Sequence, residues 1–181
     1  MNERGRRAVF LDRDGTLIRD ADYLTEVDQV EFLPGVPEAL HALREAGYLL
    51  LVVTNQSAIA RGWLSEPELV RIHAELNARL RAAGASVDAF YYCPHLPDGA
   101  VAQYARACDC RKPAPGLILR AAGEWRVDLG RSFMVGDSER DVEAGRRAGC
   151  RTVRIGRSPG AAADLGEAAG RILGGEAARS Q

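Results

Sequence analysis

Two aspartates stand one residue apart directly after the apolar run Ala8–Leu11, and no other pair in the chain is better placed for chemistry. The run has the length of a buried strand, and the two-residue period of extended backbone sends Asp12 and Asp14 to the same side. Two neighbouring carboxylates repel each other and lose hydration unless a cation or hydrogen bonds compensate. The pattern therefore favours a bound hard cation such as Mg²⁺, with one carboxylate acting as a nucleophile. A polar Asx-type turn after a strand is the simpler alternative.

Residues further along the chain favour phosphoryl transfer over that simpler alternative. Thr54 follows the apolar run 48–53, and its hydroxyl can meet a phosphoryl oxygen, together with the amide groups of the residues after it. Lys112 is the only lysine among 24 basic residues, and its compact ammonium can neutralise charge on a phosphoryl group in transit. In this arrangement Asp12 is the nucleophile, while Asp14 protonates the leaving alcohol and then deprotonates water.

A further acid completes the expected magnesium site. Asp137 follows the apolar run 132–135 and can bind Mg²⁺ together with Asp12 and a backbone carbonyl. Asp141 lies one helical turn further on and can support that site from behind the ligands. For Asp137 taken alone, a helix N-cap is an equally good interpretation.

Three cysteines and a histidine lie in a long segment that offers little apolar surface to bury them. Cys93 and His95 begin this segment, and Cys108 and Cys110 follow near its end. Three thiolates and an imidazole form a closed tetrahedral set that is typical of structural zinc. We therefore expect a zinc-stabilised loop over residues 93–110, since bound metal can order a loop that has no core of its own.

The elements that must position these groups alternate between strand and helix. The patterns predict strands at 8–11, 48–53, 88–92, 132–135 and 151–155, with amphipathic helices between them. This alternation predicts an α/β fold with a doubly wound parallel sheet, whose strand ends gather the distant polar groups at one edge. We expect one domain over residues 1–181 and a disordered C-terminal tail from about residue 172.

Composition excludes several functional classes. The formal net charge of −1 gives no basic surface for nucleic acid or membrane lipid. No apolar run is long enough for a signal peptide or a membrane span, so we expect a soluble cytoplasmic protein. In that compartment cysteines remain thiols or bind metal. We expect a monomer.

The four motifs DRDGT, TNQS, RKP and GDSERD resemble, in that order, those of the haloacid dehalogenase (HAD) superfamily of aspartate-nucleophile phosphatases. The resemblance runs from about Val9 to Gly149. It implies an aspartyl-phosphate intermediate and a requirement for Mg²⁺, with Asp12, Asp14 and Asp137 as the magnesium-binding residues. It also implies that Thr54 and Lys112 stabilise the phosphoryl group. The large cap insertion of many members is absent, as in the capless ones.

The cysteine-bearing segment resembles a small zinc-loop branch of that superfamily, the D-glycero-D-manno-heptose 1,7-bisphosphate 7-phosphatases. This resemblance implies removal of the C7 phosphate from a small phosphorylated sugar, on a route to surface polysaccharide. It also implies a set of substrate-binding residues, namely Asp20, Ala21, Asp22, Tyr23, Asn55, Gln56, Ser57 and Arg111.

Two alternatives stay open at this stage. Histidinol-phosphate phosphatases share the zinc pattern, and Asp20 or Asp22 can face the ammonium group of such a substrate. A non-catalytic phosphate- or metal-binding module is the alternative from another class. His41 and His73 lie in helical patterns and are expected to be surface or packing residues.

Overall fold

A single five-stranded parallel sheet forms the centre of the computed structural model, which describes residues 5–21 and 23–177. The strand order is β3-β2-β1-β4-β5, with every neighbouring pair parallel. Residues on β1 alternate between two apolar cores, as expected for a strand covered on both faces. The strands are β1 (Ala8–Leu11), β2 (Leu49–Asn55), β3 (Ala89–Cys93), β4 (Phe133–Gly136) and β5 (Arg151–Arg154).

Within the described residues, five α-helices cover the two faces of the sheet. Val9 and Leu11 face a core shared with α1, α2 and α5, whereas Ala8 and Phe10 face a core shared with α3 and α4. This three-layer arrangement confirms the doubly wound α/β fold expected from the sequence. The helices are α1 (Val36–Glu45), α2 (Glu66–Ala82), α3 (Gly116–Trp125), α4 (Glu139–Ala148) and α5 (Leu165–Ala177).

The connections explain where a site can form. Only residues 46–48 separate α1 from β2, so no cap domain is inserted there. Residues 94–115, all of them described, contain turns but neither helix nor strand, in agreement with the long loop expected from the sequence. None of the helices in the described residues is long and apolar enough to cross a membrane.

The expected disorder from about residue 172 is wrong for the part of the tail that the structure describes. Helix α5 continues to Ala177, and Ile172 is fully buried against the core beside α1. The Gly- and Ala-rich composition concealed an apolar face whose burial orders the helix. Residues 178–181 of the expected tail lie outside the described residues.

Candidate active site

The carboxyl ends of β1 and β4 lie side by side, and they position two of the predicted acids. Asp12 immediately follows β1, and its backbone N–H donates to the carbonyl of Val135 in β4 at 2.9 Å. Asp137 immediately follows β4. The strand after β1 in sequence, β2, lies on one side of this pair, and the strand after β4, β5, lies on the other. The two acids therefore lie at the point where the strand order reverses, which is where open α/β sheets bind their ligands.

Three carboxylates converge at this point. Asp12, Asp137 and Asp141 each offer an oxygen within 4.8 Å of the others, and Asp12 and Asp141 are buried. Oxygen-only donors at this density suit a hard divalent cation, because buried carboxylates need a compensating charge. The group therefore fits Mg²⁺. Asp141 pairs with Lys112 and also accepts from the backbone N–H of Ser138 at 3.0 Å, contacts that suit the supporting position expected for it.

Lys112 lies inside this acidic cluster and binds two of its members. Its Nζ lies 2.8 Å from Asp12 Oδ1 and 2.6 Å from Asp141 Oδ1, and it donates to the carbonyl of Val53 at 2.8 Å. Burial raises the pKa of Asp12 to about 6, against the opposing effect of the Lys112 ammonium. Burial disfavours the charge on Lys112, but the two carboxylates outweigh it and raise the pKa of Lys112. The ammonium thus stays charged beside the expected nucleophile.

Two glycines make room for the acids. Gly15 has a φ of +75°, and a Cβ at this position would lie 2.2 Å from Asp137 Oδ2. At Gly136 a Cβ would lie 2.4 Å from the Cβ of Asp141. Any side chain at either position would push a carboxylate out of the cluster, so both positions require glycine.

Asp14 does not join the three-carboxylate cluster. Its oxygens accept hydrogen bonds from Arg13 Nε at 3.2 Å, from Arg13 Nη2 at 3.0 Å and from Gln56 Nε2 at 3.0 Å. The Asp14 carboxylate, expected among the magnesium ligands, is therefore held by a guanidinium and an amide instead. This leaves it beside the cluster, where an acid or base can act.

Among the residues from Thr54 to Ser57, the first three make hydrogen bonds that position other site residues, and the last lines the cavity. Thr54 is buried and accepts from Gln56 Nε2 at 2.8 Å. Asn55 exchanges two hydrogen bonds with the backbone of Lys112, at 3.0 and 3.1 Å, so its side chain positions the lysine. Gln56 bonds to Asp14 and Thr54, whereas Ser57 lines the open cavity.

A cavity of about 270 Å³ opens over these groups and brings most of the predicted residues together. Asp20, Tyr23 and Arg111 line it, and Ala21 is not among its lining residues. Asp22 lies outside the described residues. The full lining is Asp12, Arg13, Asp14, Asp20, Tyr23, Leu24, Thr54, Asn55, Gln56, Ser57, Ala58, Arg61, Arg111, Lys112, Asp137 and Arg140.

The predicted zinc ligands form one compact group. Cys93, His95, Cys108 and Cys110 each offer a ligand atom within 4.8 Å of the others, with neighbouring pairs 3.1–3.7 Å apart. Separations of this size are close to the edges of a tetrahedron of sulfur and nitrogen around zinc. Arg106, which can only donate, lies 2.9 Å from His95 Nε2. Zinc on Nδ1 would place the ring proton on Nε2, so metal binding requires Arg106 to turn away.

The cysteine cluster is connected to the cavity through Arg111. Arg111 Nη1 donates to the carbonyl of His95 at 3.2 Å, so a ligand residue of the cluster holds this guanidinium. Gly116 allows the end of the loop to pack against the backbone of Asp109, because a Cβ at position 116 would lie only 2.4 Å from the carbonyl oxygen of Asp109. An ordered loop therefore holds the guanidinium of Arg111 in place at the cavity.

Four residues near the cavity were not predicted from the sequence. Arg61 and Arg140 line it, and each comes from a segment that reads as an ordinary exposed helix or loop. Arg13 is only 1% exposed, although an arginine in such a pattern suggests a surface position, and His73 is only 4% exposed, in agreement with the packing role that was one of its two expected alternatives. The one signal for Arg13 was its place between two carboxylates, where a guanidinium finds immediate partners.

Comparison with known sequences agrees with this geometry. A HAD-hydrolase-like family model matches residues 109–172. The D-glycero-beta-D-manno-heptose-1,7-bisphosphate 7-phosphatase of Yersinia pestis is 41% identical over 162 residues, which is 90% of this chain and 86% of the relative. The protein of the same name from Pasteurella multocida is 47% identical over 143 residues, covering 79% of this chain and 77% of the relative.

A solved structure gives the same result for the fold. The D,D-heptose 1,7-bisphosphate phosphatase of B. bronchiseptica, crystallised with magnesium and phosphate, superimposes with a TM-score of 0.82. It is 33% identical in sequence, and the match covers 93% of this chain and 99% of that one. The likeness therefore extends over nearly the whole chain.

Proposed function

This chain belongs to the HAD-like phosphatase family that includes the D-glycero-beta-D-manno-heptose-1,7-bisphosphate 7-phosphatases, and from that premise we propose that it removes the C7 phosphate of D-glycero-D-manno-heptose 1,7-bisphosphate. The observation that supports this substrate most strongly is the identity of over 40% with two proteins of that name, across more than three quarters of the chain. The contacts of Asp12 with Lys112 supply the matching chemistry.

In the proposed reaction an oxygen of the Asp12 carboxylate attacks the phosphorus atom at C7. The bond from phosphorus to the sugar oxygen breaks, and Asp14 donates a proton to that oxygen, so the sugar leaves as an alcohol. Asp14, now a carboxylate, takes a proton from water as the water attacks the same phosphorus. Phosphate leaves, and the Asp12 carboxylate is regenerated.

Several fixed groups lower the barrier by meeting charge on the phosphoryl oxygens. Lys112 already lies 2.8 Å from Asp12, and Thr54 is among the residues that line the same cavity. Asp12 and Asp137 would hold Mg²⁺ together with a backbone carbonyl, and Asp141 of the same cluster would support them. When bound, Mg²⁺ supplies Lewis-acid neutralisation of the phosphoryl oxygens and of the clustered carboxylates.

Arginines at the cavity support a substrate with a second phosphate. Arg61, Arg111 and Arg140 all line the cavity that contains the reacting groups. A bisphosphate leaves one dianion to be bound while the other reacts, and guanidinium groups bind phosphate bidentately. We assign Arg111 to this recognition, with Asp20, Tyr23 and Ser57 lining the sugar.

The cysteine cluster would hold a structural zinc ion. Cys93, His95, Cys108 and Cys110 fill four positions and leave none open for substrate, so the metal orders the loop that presents Arg111. Such a thiol set is stable in a reducing compartment, which favours the cytoplasm. Metal analysis of purified reduced protein tests this directly, and the expected content is one zinc per chain.

The substrate is tested by comparing kcat/KM for heptose 1,7-bisphosphate, heptose 7-phosphate and histidinol phosphate with Mg²⁺ present. We expect the bisphosphate to be the best substrate, and Arg111→Met to lower its kcat/KM by about 10- to 100-fold because a bidentate contact is lost. For heptose 7-phosphate, which lacks the second dianion, the same Arg111→Met substitution should lower kcat/KM by less than about threefold. Faster turnover of histidinol phosphate would overturn the substrate while leaving the reaction class intact.

A further inference from the structure

The buried side chain of Arg13 lies between the two catalytic aspartates and connects Asp14 to helix α2. Only 1% of Arg13 is exposed, and its guanidinium contacts three side chains. Nε and Nη2 donate to Asp14, Nη2 donates to Gln56 Oε1 at 3.0 Å, and Nη1 lies 3.1 Å from Nε2 of His73. Burying a guanidinium is costly unless its N–H groups are hydrogen-bonded. The contacts of Arg13 therefore form a specific hydrogen-bond network.

The chemistry of the guanidinium fixes the orientation of both neutral partners. Arginine only donates, so His73 Nε2 must be the accepting nitrogen, and His73 is neutral with its proton on Nδ1. For the same reason Gln56 must turn Oε1 toward Arg13, which directs Nε2 toward Asp14 Oδ2 at 3.0 Å and Thr54 Oγ1 at 2.8 Å. One side chain thus sets the direction of every contact around Asp14.

Helix α2 anchors the outer end of the network. The His73 ring stacks on Phe90 of β3 with centroids 4.4 Å apart and an interplanar angle of 13°. His73 is 4% exposed, so the ring cannot move without disturbing the core. A rigid acceptor on a packed helix is suited to hold a guanidinium in one position.

We propose that Arg13 is a positioning residue for the proton transfers of Asp14, held in place by His73 and Gln56. The inference rests on the proposed function, because it assumes that Asp14 protonates the leaving group. Arg13 acts through Asp14 and has no separate contact with the substrate in this account. Its loss should therefore impair steps that need proton transfer far more than steps that do not.

The test compares Arg13→Met with wild type on phosphate esters of differing leaving groups. For an alkyl phosphate, whose alkoxide leaves poorly without a proton, kcat/KM should fall by about 100-fold or more. For 4-nitrophenyl phosphate, whose phenolate leaves unaided, kcat/KM should fall by less than about threefold, and a burst should appear because water attack still needs the base. Equal losses on both esters would overturn the proposal.

Further variants keep the test decisive if Arg13→Met folds poorly. His73→Leu removes the anchor and should show the same selective loss in weaker form, whereas His73→Gln keeps an acceptor and should restore most of it. Arg120→Met and His41→Leu, on exposed helix faces, are the matched controls and should leave both rates unchanged. A selective loss in His73→Gln equal to that in His73→Leu would count against the network.

A double-mutant cycle separates this inference from the proposed function. If Arg13 acts through Asp14, then Arg13→Met should change the alkyl phosphate rate by less than about threefold in an Asp14→Ala background. Full additivity would overturn the positioning role. If Asp14→Ala itself shows no leaving-group dependence, the assumed role of Asp14 fails, and with it the proposed mechanism.

Discussion

The carboxylate cluster and the cysteine loop are both candidate metal sites, but the fold supports them in different ways. Asp12 and Asp137 follow central strands whose side chains are fully buried, so the sheet itself fixes the backbone beneath them. Cys93 ends an edge strand, and the other three ligands lie in a stretch without helix or strand. The first region is shaped by the core, whereas the second would depend on the proposed zinc ion for its order.

This difference indicates a division of labour. The sheet edge holds the groups that we propose break and form bonds, and such groups tolerate little displacement. The loop presents Arg111, which we propose recognises the rest of the substrate. Disrupting the first region should abolish turnover with every ester, whereas disrupting the second should act mainly on the natural substrate.

The largest expected effect comes from removing the nucleophile. Asp12→Asn should lower kcat/KM by more than about 10⁴-fold on both the bisphosphate and 4-nitrophenyl phosphate, since an amide cannot attack phosphorus. Lys112 keeps Asp141 as a partner at 2.6 Å, so unfolding free energy should fall by less than the 3–5 kcal/mol or so expected for a broken buried pair. Steady-state kinetics with thermal denaturation measures both. Retained turnover would contradict the catalytic role of this region.

The second prediction concerns the loop and its metal. Cys108→Ser should lower the zinc content and the melting temperature, and should reduce kcat/KM for the bisphosphate by about 10- to 100-fold. The loss on 4-nitrophenyl phosphate should be several times smaller, because that ester does not need Arg111.

Cys150→Ser is the matched control for the loop variant. Cys150 is a buried thiol outside the four-residue cluster, so its replacement should leave the zinc content unchanged. Equal losses on both substrates in Cys108→Ser would contradict the division between chemistry and recognition.

The third prediction tests how tightly the core shapes the carboxylate cluster. Gly15→Ala and Gly84→Ala both place alanine at positive φ, which costs about 1–2 kcal/mol of unfolding free energy. Only at Gly15 would the new Cβ meet Asp137, so only that variant should need about tenfold more Mg²⁺ for half-maximal activity. Magnesium titration of activity measures this. The same magnesium dependence in both variants would show that the cluster tolerates displacement.

The smallest effect follows from the buried, neutral His73. Burial, reinforced by the charge of Arg13, lowers the pKa of His73 to about 3. In the unfolded chain the ring takes a proton near its ordinary pKa of about 6.5, so the His73 contribution to stability declines as pH falls below that value, by up to about 1.4 kcal/mol per pH unit. Denaturant unfolding of wild type and His73→Leu between pH 5 and 8 should show this difference. If the unfolding free energies of the two proteins had the same pH dependence, His73 would take up its proton in the folded protein as readily as in the unfolded chain, and the prediction would be wrong.

Much of both regions could be predicted from the sequence, for a physical reason. Strand ends in a parallel sheet meet at one edge, so the sequence alone predicts that Asp12, Thr54 and Asp137 lie close together. Thiol and imidazole spacing likewise predicted the cysteine cluster.

The partners of those residues were harder to foresee. Whether Asp14 turns toward the acids or toward Arg13, and whether Asn55 faces substrate or the backbone of Lys112, depends on side-chain directions that spacing does not determine. The burial of Arg13 and the order of α5 likewise depend on tertiary packing, which overrides local composition.

Trapping the covalent intermediate tests the central claim most directly. Protein quenched during turnover of heptose 1,7-bisphosphate and reduced with borohydride should contain homoserine in place of the aspartate at position 12, because borohydride reduces an acyl phosphate to the alcohol. Peptide mass spectrometry should find this change at Asp12 and not at Asp14, Asp137 or Asp141. Full phosphate release with no modification of Asp12, or with modification at another acid, would contradict the account.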